Sequence, residues 1–400
     1  MKNLLKGMLI GFIIGGILLA AAAFLFFRHP TEEPEPEVPA AEVSKAVQEE
    51  APESGISLPE EPETPEIPAV EPTREASEEV SEPEEPDSAL LAFAGDVMFS
   101  DPFLASYDKS GISAIADSEM LGRMQNADLF VINEEFPFSL RGEAMEDKQF
   151  TFRADPKYVE IFQKMGVDIA TVANNHALDF GRDAFLDTLD TLNGIGMPYV
   201  GAGRNLEEAI QPVYFIVNDQ KIAFVAATQI ERTENPDTKE ATQNSPGVFR
   251  CWNVDKLLEV VANAKQVSDY VIVYIHWGTE ATDQLDWAQK DQAVKISNAG
   301  ADLIIGDHPH VLQQFGYCED TPVMYSLGNF LFNSKAQDTC LVKLTLDANG
   351  FKSLQFIPGR QQDCSVTMLH GTEKERVLSY MRKISPGVTI DEDGFVTKKG

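Results

Sequence analysis

From residue 88 onward the chain alternates between two hydrophobic rhythms. Continuous apolar runs of strand length stand at "ALLAFAGDV" (89–97), "DLFVINEE" (128–135), "VDIATVANNH" (167–176), "DYVIVYIHWG" (269–278) and "ADLIIGDHPH" (301–310). Between them, apolar residues recur at helical spacing in "DPKYVEIFQKMG", "DAFLDTLDTLNGIG", "NVDKLLEVVANAKQ" and "DWAQKDQAVKISNAG", three of which close on glycine. Strand, polar tip, helix, strand is the rhythm of an α/β sheet with helices on its faces. "KIAFVAATQI" and "TPVMYSLGNFLF" predict further strands, and "CLVKLTLDANGFKSLQFIP" predicts an antiparallel hairpin turning at Asn349-Gly350. Beyond residue 365 the pattern weakens, which predicts a short helix and a tail over 366–400.

The first 87 residues follow neither rhythm. Residues 7–27, "GMLIGFIIGGILLAAAAFLFF", carry no charge and as a helix would reach roughly 31 Å, about one hydrocarbon core. Lys2 and Lys6 precede this segment and acidic sequence follows it, which favours a cytoplasmic N-terminus. A cleaved signal peptide is the alternative. The length of the apolar run, and "FLFF" continuing past the alanines at 20–23, favour an uncleaved anchor over 1–28. Residues 29–87 are rich in Pro and Glu, and 31–87 hold 20 acidic against 2 basic side chains. Such a segment buries too little apolar surface to offset its ordering entropy, so it reads as a disordered spacer. Together these segments predict a single-pass cell-membrane protein with its globular part, 88–365, outside the cell. The whole chain carries a formal charge of −32, which argues against a nucleic-acid partner. Its four cysteines are widely spaced and suggest neither a disulfide framework nor a zinc knuckle.

Charge and hydropathy place the polar residues at particular points. In open α/β sheets, ligands bind at the carboxyl ends of the strands. Here those ends carry Asp96, Asn133 with Glu135, Asn174 to His176, His276, and His308 with His310, so four of the six histidines stand there. Each has an ordinary reading alone: a turn aspartate, a capping asparagine, a satisfied core histidine. Taken together they form a mixed N/O donor set without thiolate, suited to one or two divalent ions such as Mn, Fe or Zn. His-x-His on an extended backbone would send both imidazoles to one side, with Pro309 stiffening the pair.

Eight ordered motifs, "FAGDVMFS", "INEEFPFS", "FTFRADP", "VANNHALDFG", "VGAGRNLEEA", "IHWGTE", "GDHPHV" and "YSLGNFLF", resemble the bacterial capsule-synthesis proteins of the CapA type, the poly-γ-glutamate biosynthesis family. The resemblance implies a calcineurin-like metallophosphoesterase fold, a four-layer α/β sandwich. It implies metal ligation by Asp96, Glu135, Asn175, His276, His308 and His310, with His176 as leaving-group acid or phosphate contact. Asn133, Asn174, Glu280 and Asn329 would then be substrate contacts. The chain departs from the superfamily pattern at Met98, which replaces the histidine of the first Asp-x-His motif, and at "INEEF", which replaces Gly-Asp-x-x-Asp. Asp101 stands where the family usually carries an arginine. Losing one imidazole leaves open whether the site holds one ion or two. Two functions follow from the resemblance: a metal-dependent hydrolase in capsule-polymer biosynthesis, or a non-catalytic accessory protein that binds or helps export an anionic polymer. Capsule-polymer synthase components are the expected partners beside the membrane.

Overall fold

The computed structural model describes residues 88–146, 148–230 and 238–400. The expected anchor and spacer lie outside these residues. Among the described residues, no helix is long and apolar enough to cross a membrane.

Two sheets carry the fold. The first contains β1 (Ala89–Val97), β2 (Leu129–Glu134), β3 (Ile169–Thr171), β4 (Tyr199–Val200), β13 (Asn329–Leu331), β14 (Gln337–Asp347), β15 (Gly350–Gln362) and β16 (Ser365–Met368). Its order is β16-β15-β14-β1-β2-β3-β4, with β13 beside the end of β1. Strands β1 to β4 run parallel, and β14 to β16 run antiparallel. The second contains β6 (Val213–Val217), β7 (Gln220–Thr228), β9 (Tyr270–His276), β10 (Leu303–Asp307), β11 (Phe315–Cys318) and β12 (Thr321–Met324), in the order β11-β12-β10-β9-β7-β6. Its four inner strands are parallel and its two edge strands antiparallel. Short pairs join β5 (Ala202–Gly203) to β8 (Gly247–Val248), and β17 (Val388–Ile390) to β18 (Val396–Lys398).

The period of two along each strand sets the layers. On β1 and β2, Leu91, Phe93, Leu129 and Val131 face the second sheet and pack with Phe224, Ile272 and Ile305. Their neighbours Ala92, Ala94, Phe130 and Ile132 face the other way, against helices Asp101–Ser110, Ser118–Gln125 and Gly181–Gly194. On the far side of the second sheet, Val225, Val273 and Ile304 pack with helices Asp255–Val267 and Trp287–Asn298. Helix, sheet, sheet, helix is the four-layer arrangement that the resemblance implied. Fully burying one such side chain contributes roughly 1.5–3 kcal/mol, so the three apolar layers dominate stability.

Two differences from the sequence reading bear on the site. The segment "TPVMYSLGNFLF" is not one strand but two: β12 lies in the second sheet and β13 in the first. Gly328, at φ +66°, turns the chain between them. Its carbonyl lies so near Gly95 that a Cβ there would sit 1.9 Å from the oxygen, which explains the glycine of "FAGDV". The crossing brings Asn329 into register with Asp96. In addition, the short helix expected within 366–400 is Gly371–Ile384, which buries Val377, Leu378 and Met381 in the inter-sheet core, and the expected tail pairs as β17 and β18. With few apolar positions in the helix, its period is faint in sequence and becomes plain only on packing.

Candidate metal centre

The parallel strands of both sheets end at one place. From β1 comes Asp96, fully buried, whose Oδ1 accepts from Asn133 Nδ2 at 3.0 Å. Asn133 Oδ1 accepts in turn from Thr171 Oγ1 (3.2 Å) and Asn174 Nδ2 (3.0 Å), and Asn174 Nδ2 also reaches the Glu134 carbonyl at 2.7 Å. Asn174 Oδ1 takes the His176 N–H at 3.0 Å. Asn133 and Asn174, expected to contact substrate, are therefore buried and occupied in tying β1, β2 and the 172–180 loop together. Asn329 is likewise used within the protein. Its Oδ1 lies 2.8 Å from His310 Nδ1, and its amide donates to Gln337 Oε1.

The imidazoles converge from the second sheet. His276, the last residue of β9, places Nε2 at 2.8 Å from Asn175 Oδ1, 3.0 Å from His308 Nδ1 and 3.6 Å from Glu135 Oε1. His310 Nδ1 lies 3.1 Å from Asp96 Oδ2. His308 and His310 do not lie on an extended backbone: their φ values are +90° and +58°. For residues with a Cβ this left-handed region is uncommon, and strain of this kind concentrates at functional sites. A tight turn, rather than strand alternation, aims the two rings. Met98 points into the helix-side core beside Phe99, so the first motif contributes no second ligand.

Burial controls the electrostatics. It lowers the pKa of His276 to about 3 and that of His308 well below its usual value, so both rings are neutral with lone pairs available at neutral pH. His176 is also lowered by burial. His310 is raised: burial opposes its charge, but the Asp96 carboxylate outweighs it. Burial also opposes the charge of Asp96, yet His310, His276 and Asn133 hold its pKa below the ordinary range. Glu135 and Asp307 are pushed well above that range, first by burial and then by the neighbouring carboxylates.

Both Glu135 oxygens, Asp307 Oδ2 and Asp96 Oδ2 are buried without a hydrogen bond; the 3.1 Å approach of Asp96 to His310 lacks the geometry of one. Buried carboxylate oxygens without donors are costly, and a cation among them removes that cost. Two groups of three have donor atoms within 4.8 Å of one another: Glu135, His308 and His310, and Asp96, His276 and Asp307. This mixed nitrogen and oxygen donor set suits the binding of a divalent metal ion. The expected ligands Asp96, Glu135, Asn175, His276, His308 and His310 all lie in this cluster.

His176 sits at its edge. Its Nδ1 lies 2.8 Å from Asp179 Oδ2, and its Nε2 is 4.0 Å from Glu135 Oε1. Asp179 also accepts from Lys148 Nζ (2.6 Å) and the Phe152 N–H (2.7 Å), and Lys148 donates to the Asn175 carbonyl at 2.6 Å. Phe152 and Phe332 flank the site, their ring centroids 4.5 Å from that of His176 and 4.8 Å from that of His310. Glu280 stands apart, exposed on the loop after β9, where its charge still reaches His310. Sequence reading passed over Lys148, Phe152, Asp179 and Asp307. Phe152 lies within "FTFRADP" and Asp307 within "GDHPHV", so the motifs held the signal; Lys148 carried none.

The sequence pattern described as Bacterial capsule synthesis protein PGA_cap matches residues 90–334. Among curated relatives, Capsule biosynthesis protein CapA of Bacillus anthracis is 31% identical over 271 residues, covering 65% of this chain and 65% of that protein. PGA biosynthesis protein CapA of Bacillus subtilis (strain 168) is 32% identical over 216 residues, covering 53% of this chain and 56% of its own length. The matched part thus spans less than two thirds of either relative. Of solved structures, that of TT1561 of Thermus thermophilus is similar at 11% identity and a TM-score of 0.38, covering 67% of this chain and 97% of that one.

Proposed function

The chain belongs to the bacterial capsule synthesis family, and from that premise we propose that it is a metal-dependent hydrolase acting in the biosynthesis of a poly-γ-glutamate-type capsule polymer. The observation that carries the reading is the convergence of Asp96, Glu135 and Asp307, with buried oxygens that make no hydrogen bond, on three strand-end histidines. Asp96, Glu135, Asn175, His276, His308 and His310 would hold the ion or ions. When bound, a divalent ion supplies Lewis acidity, activating water and neutralising charge that develops on a phosphoryl or acyl oxygen.

The remaining chemistry belongs to the chain. Asp179 accepts the Nδ1–H of His176 and so leaves Nε2 as the exchanging nitrogen, beside Glu135. In its protonated form that nitrogen would deliver a proton to a leaving oxygen or nitrogen, the role of a general acid. Lys148 fixes both Asp179 and the carbonyl of Asn175, which holds the 172–180 loop at one distance from the cluster. The rings of Phe152 and Phe332 meet edge to face beside it, their centroids 5.5 Å apart. The substrate class is a phosphoester, or an amide or ester bond of an anionic polymer. Residues 7–27 would anchor the chain and 29–87 would carry the site away from an outer membrane face, near polymer synthase components.

The test is elemental analysis of the purified full-length chain together with turnover of bis-aryl phosphates and of poly-γ-glutamate under added Mn²⁺, Fe²⁺ and Zn²⁺. Stoichiometric metal with turnover supports the reading. Metal without turnover of any substrate transfers the site to polymer binding, the accessory role. Absence of metal overturns both.

A further inference from the structure

One carboxylate in the cluster has no assigned role. Asp307 ends β10, in register with His276 at the end of β9, so the two side chains leave neighbouring parallel strands on one face. Asp307 Oδ1 lies 2.9 Å from His276 Nδ1, and the Asp307 carbonyl accepts the Trp277 N–H at 3.2 Å. We propose that Asp307 is a positioning residue of the metal centre: it accepts the Nδ1–H of His276 and so commits the Nε2 lone pair to the ion that Glu135, Asn175 and His308 face. This rests on the metal-binding reading above.

A neutral imidazole has one N–H and one lone pair. With the proton on Nε2, the lone pair of Nδ1 would face a fully buried carboxylate oxygen at 2.9 Å, a contact of two acceptors in a low dielectric. With the proton on Nδ1, that contact becomes a charge-assisted hydrogen bond. The Nε2 lone pair then meets Asn175 Oδ1 at 2.8 Å and Glu135 Oε1 at 3.6 Å. In the empty site that lone pair can accept from His308 Nδ1–H at 3.0 Å, and around a cation it coordinates. A carboxylate behind a ligating histidine also raises the basicity of the ring, and losing such a partner typically costs about 10–100-fold in metal affinity. Asp307 therefore assigns each face of one ring: the acidic side to itself, the ligand side to the ion.

The experiment uses the full-length chain with ¹⁵N-labelled histidine. Six histidines make the spectrum tractable, and a His276→Gln sample identifies the relevant ring. In the metal-free wild type, long-range ¹H–¹⁵N correlations should show His276 as the Nδ1–H tautomer. Asp307→Asn, which keeps an acceptor, should preserve it, and Asp307→Ala should shift it toward Nε2–H. In parallel, Zn²⁺ affinity measured by chelator competition should fall about 10–100-fold in Asp307→Ala and less in Asp307→Asn, with unchanged stoichiometry. A wild-type Nε2–H tautomer overturns the proposal. So does Zn²⁺ affinity in Asp307→Asn and a folded Asp307→Ala equal to that of wild type. Loss of a whole metal equivalent in both variants makes Asp307 a ligand and overturns its positioning role. A wild type that binds no Zn²⁺ defeats the proposed function instead, while the tautomer still decides the role of Asp307.

Discussion

The first sheet brings Asp96, Asn133, Glu135, Asn174, Asn175 and Asn329 to the site, all carboxylates or amides, with His176 as its one imidazole. The second brings His276, His308 and His310, with Asp307 as its one acid. Neither set suffices alone. Without the imidazoles the first sheet offers a buried pair of acids that repel each other, and Glu135 is pushed toward protonation partly by Asp96. Without the acids, the second sheet offers neutral rings whose charge is suppressed by burial and by one another. The contacts that turn two incomplete halves into one site all cross between sheets: His310 to Asp96 and Asn329, and His276 to Asn175 and Glu135. A mixed N/O donor set is thus a property of how the sheets pack, not of any one segment.

Removing one donor from either sheet should have the largest effect. Asp96→Ala and His308→Ala should each lower metal affinity by more than about a hundredfold, beyond the range of outer-shell partners. Elemental analysis and chelator competition check this, and retention of metal by either variant would mean the halves do not share an ion. A smaller effect is expected at the edge of the first sheet. Asp179→Asn should leave metal content intact but lower turnover on the order of a hundredfold, because His176 loses its orienting carboxylate. Unchanged turnover would remove His176 from the chemistry.

Acidity sharpens the contrast further. Glu135 and Asp307 have raised pKa values, so they take up protons at a higher pH than ordinary carboxylates do, and an ion must displace those protons. His276 and His308 are lowered and hold none to displace. Metal affinity should therefore fall as pH falls through that raised carboxylate range, by about tenfold per pH unit for each proton released. Calorimetry in buffers of different ionisation enthalpy counts those protons, and a pH-independent affinity would contradict the assignment. The smallest effect concerns Glu134, whose two oxygens are buried without a hydrogen bond and whose pKa burial raises. A raised carboxyl favours the native state when protonated and costs stability as pH rises toward its folded pKa. Glu134→Gln should raise the melting temperature at pH 8 by an amount corresponding to about 1–3 kcal/mol, and by less at pH 5. A lower melting temperature at pH 8 would reveal a partner for this carboxylate.

Much of this was legible in the sequence because strand ends are marked twice, by an apolar run and by the polar residues that close it. The runs at 89–97 and 269–278 match β1 and β9 closely, and Asp96, Glu135, His276, His308 and His310 come together with Asn175 against His276. The illegible parts share a physical cause: they depend on what lies across from a residue. Asn133 and Asn174 resemble binding residues until the buried oxygens around them are seen. The geometry of His308 and His310 follows from a turn with positive φ that no spacing rule announces. Lys148 looks like a surface lysine, yet only 5% of its side chain is exposed, because Asp179 and a loop carbonyl take its charge.

The crossing of the chain at Gly328 has a consequence for the order of assembly. Donors and their supports run from Asp96 to Asn329, and the last of them, β13, returns to lie beside the first strand. Contacts so distant in sequence form late, since the intervening loops must close before any of them is rewarded. An ion would therefore reach a nearly finished fold rather than nucleate it. Once there it would join segments that stand far apart along the chain, slowing unfolding far more than it speeds folding.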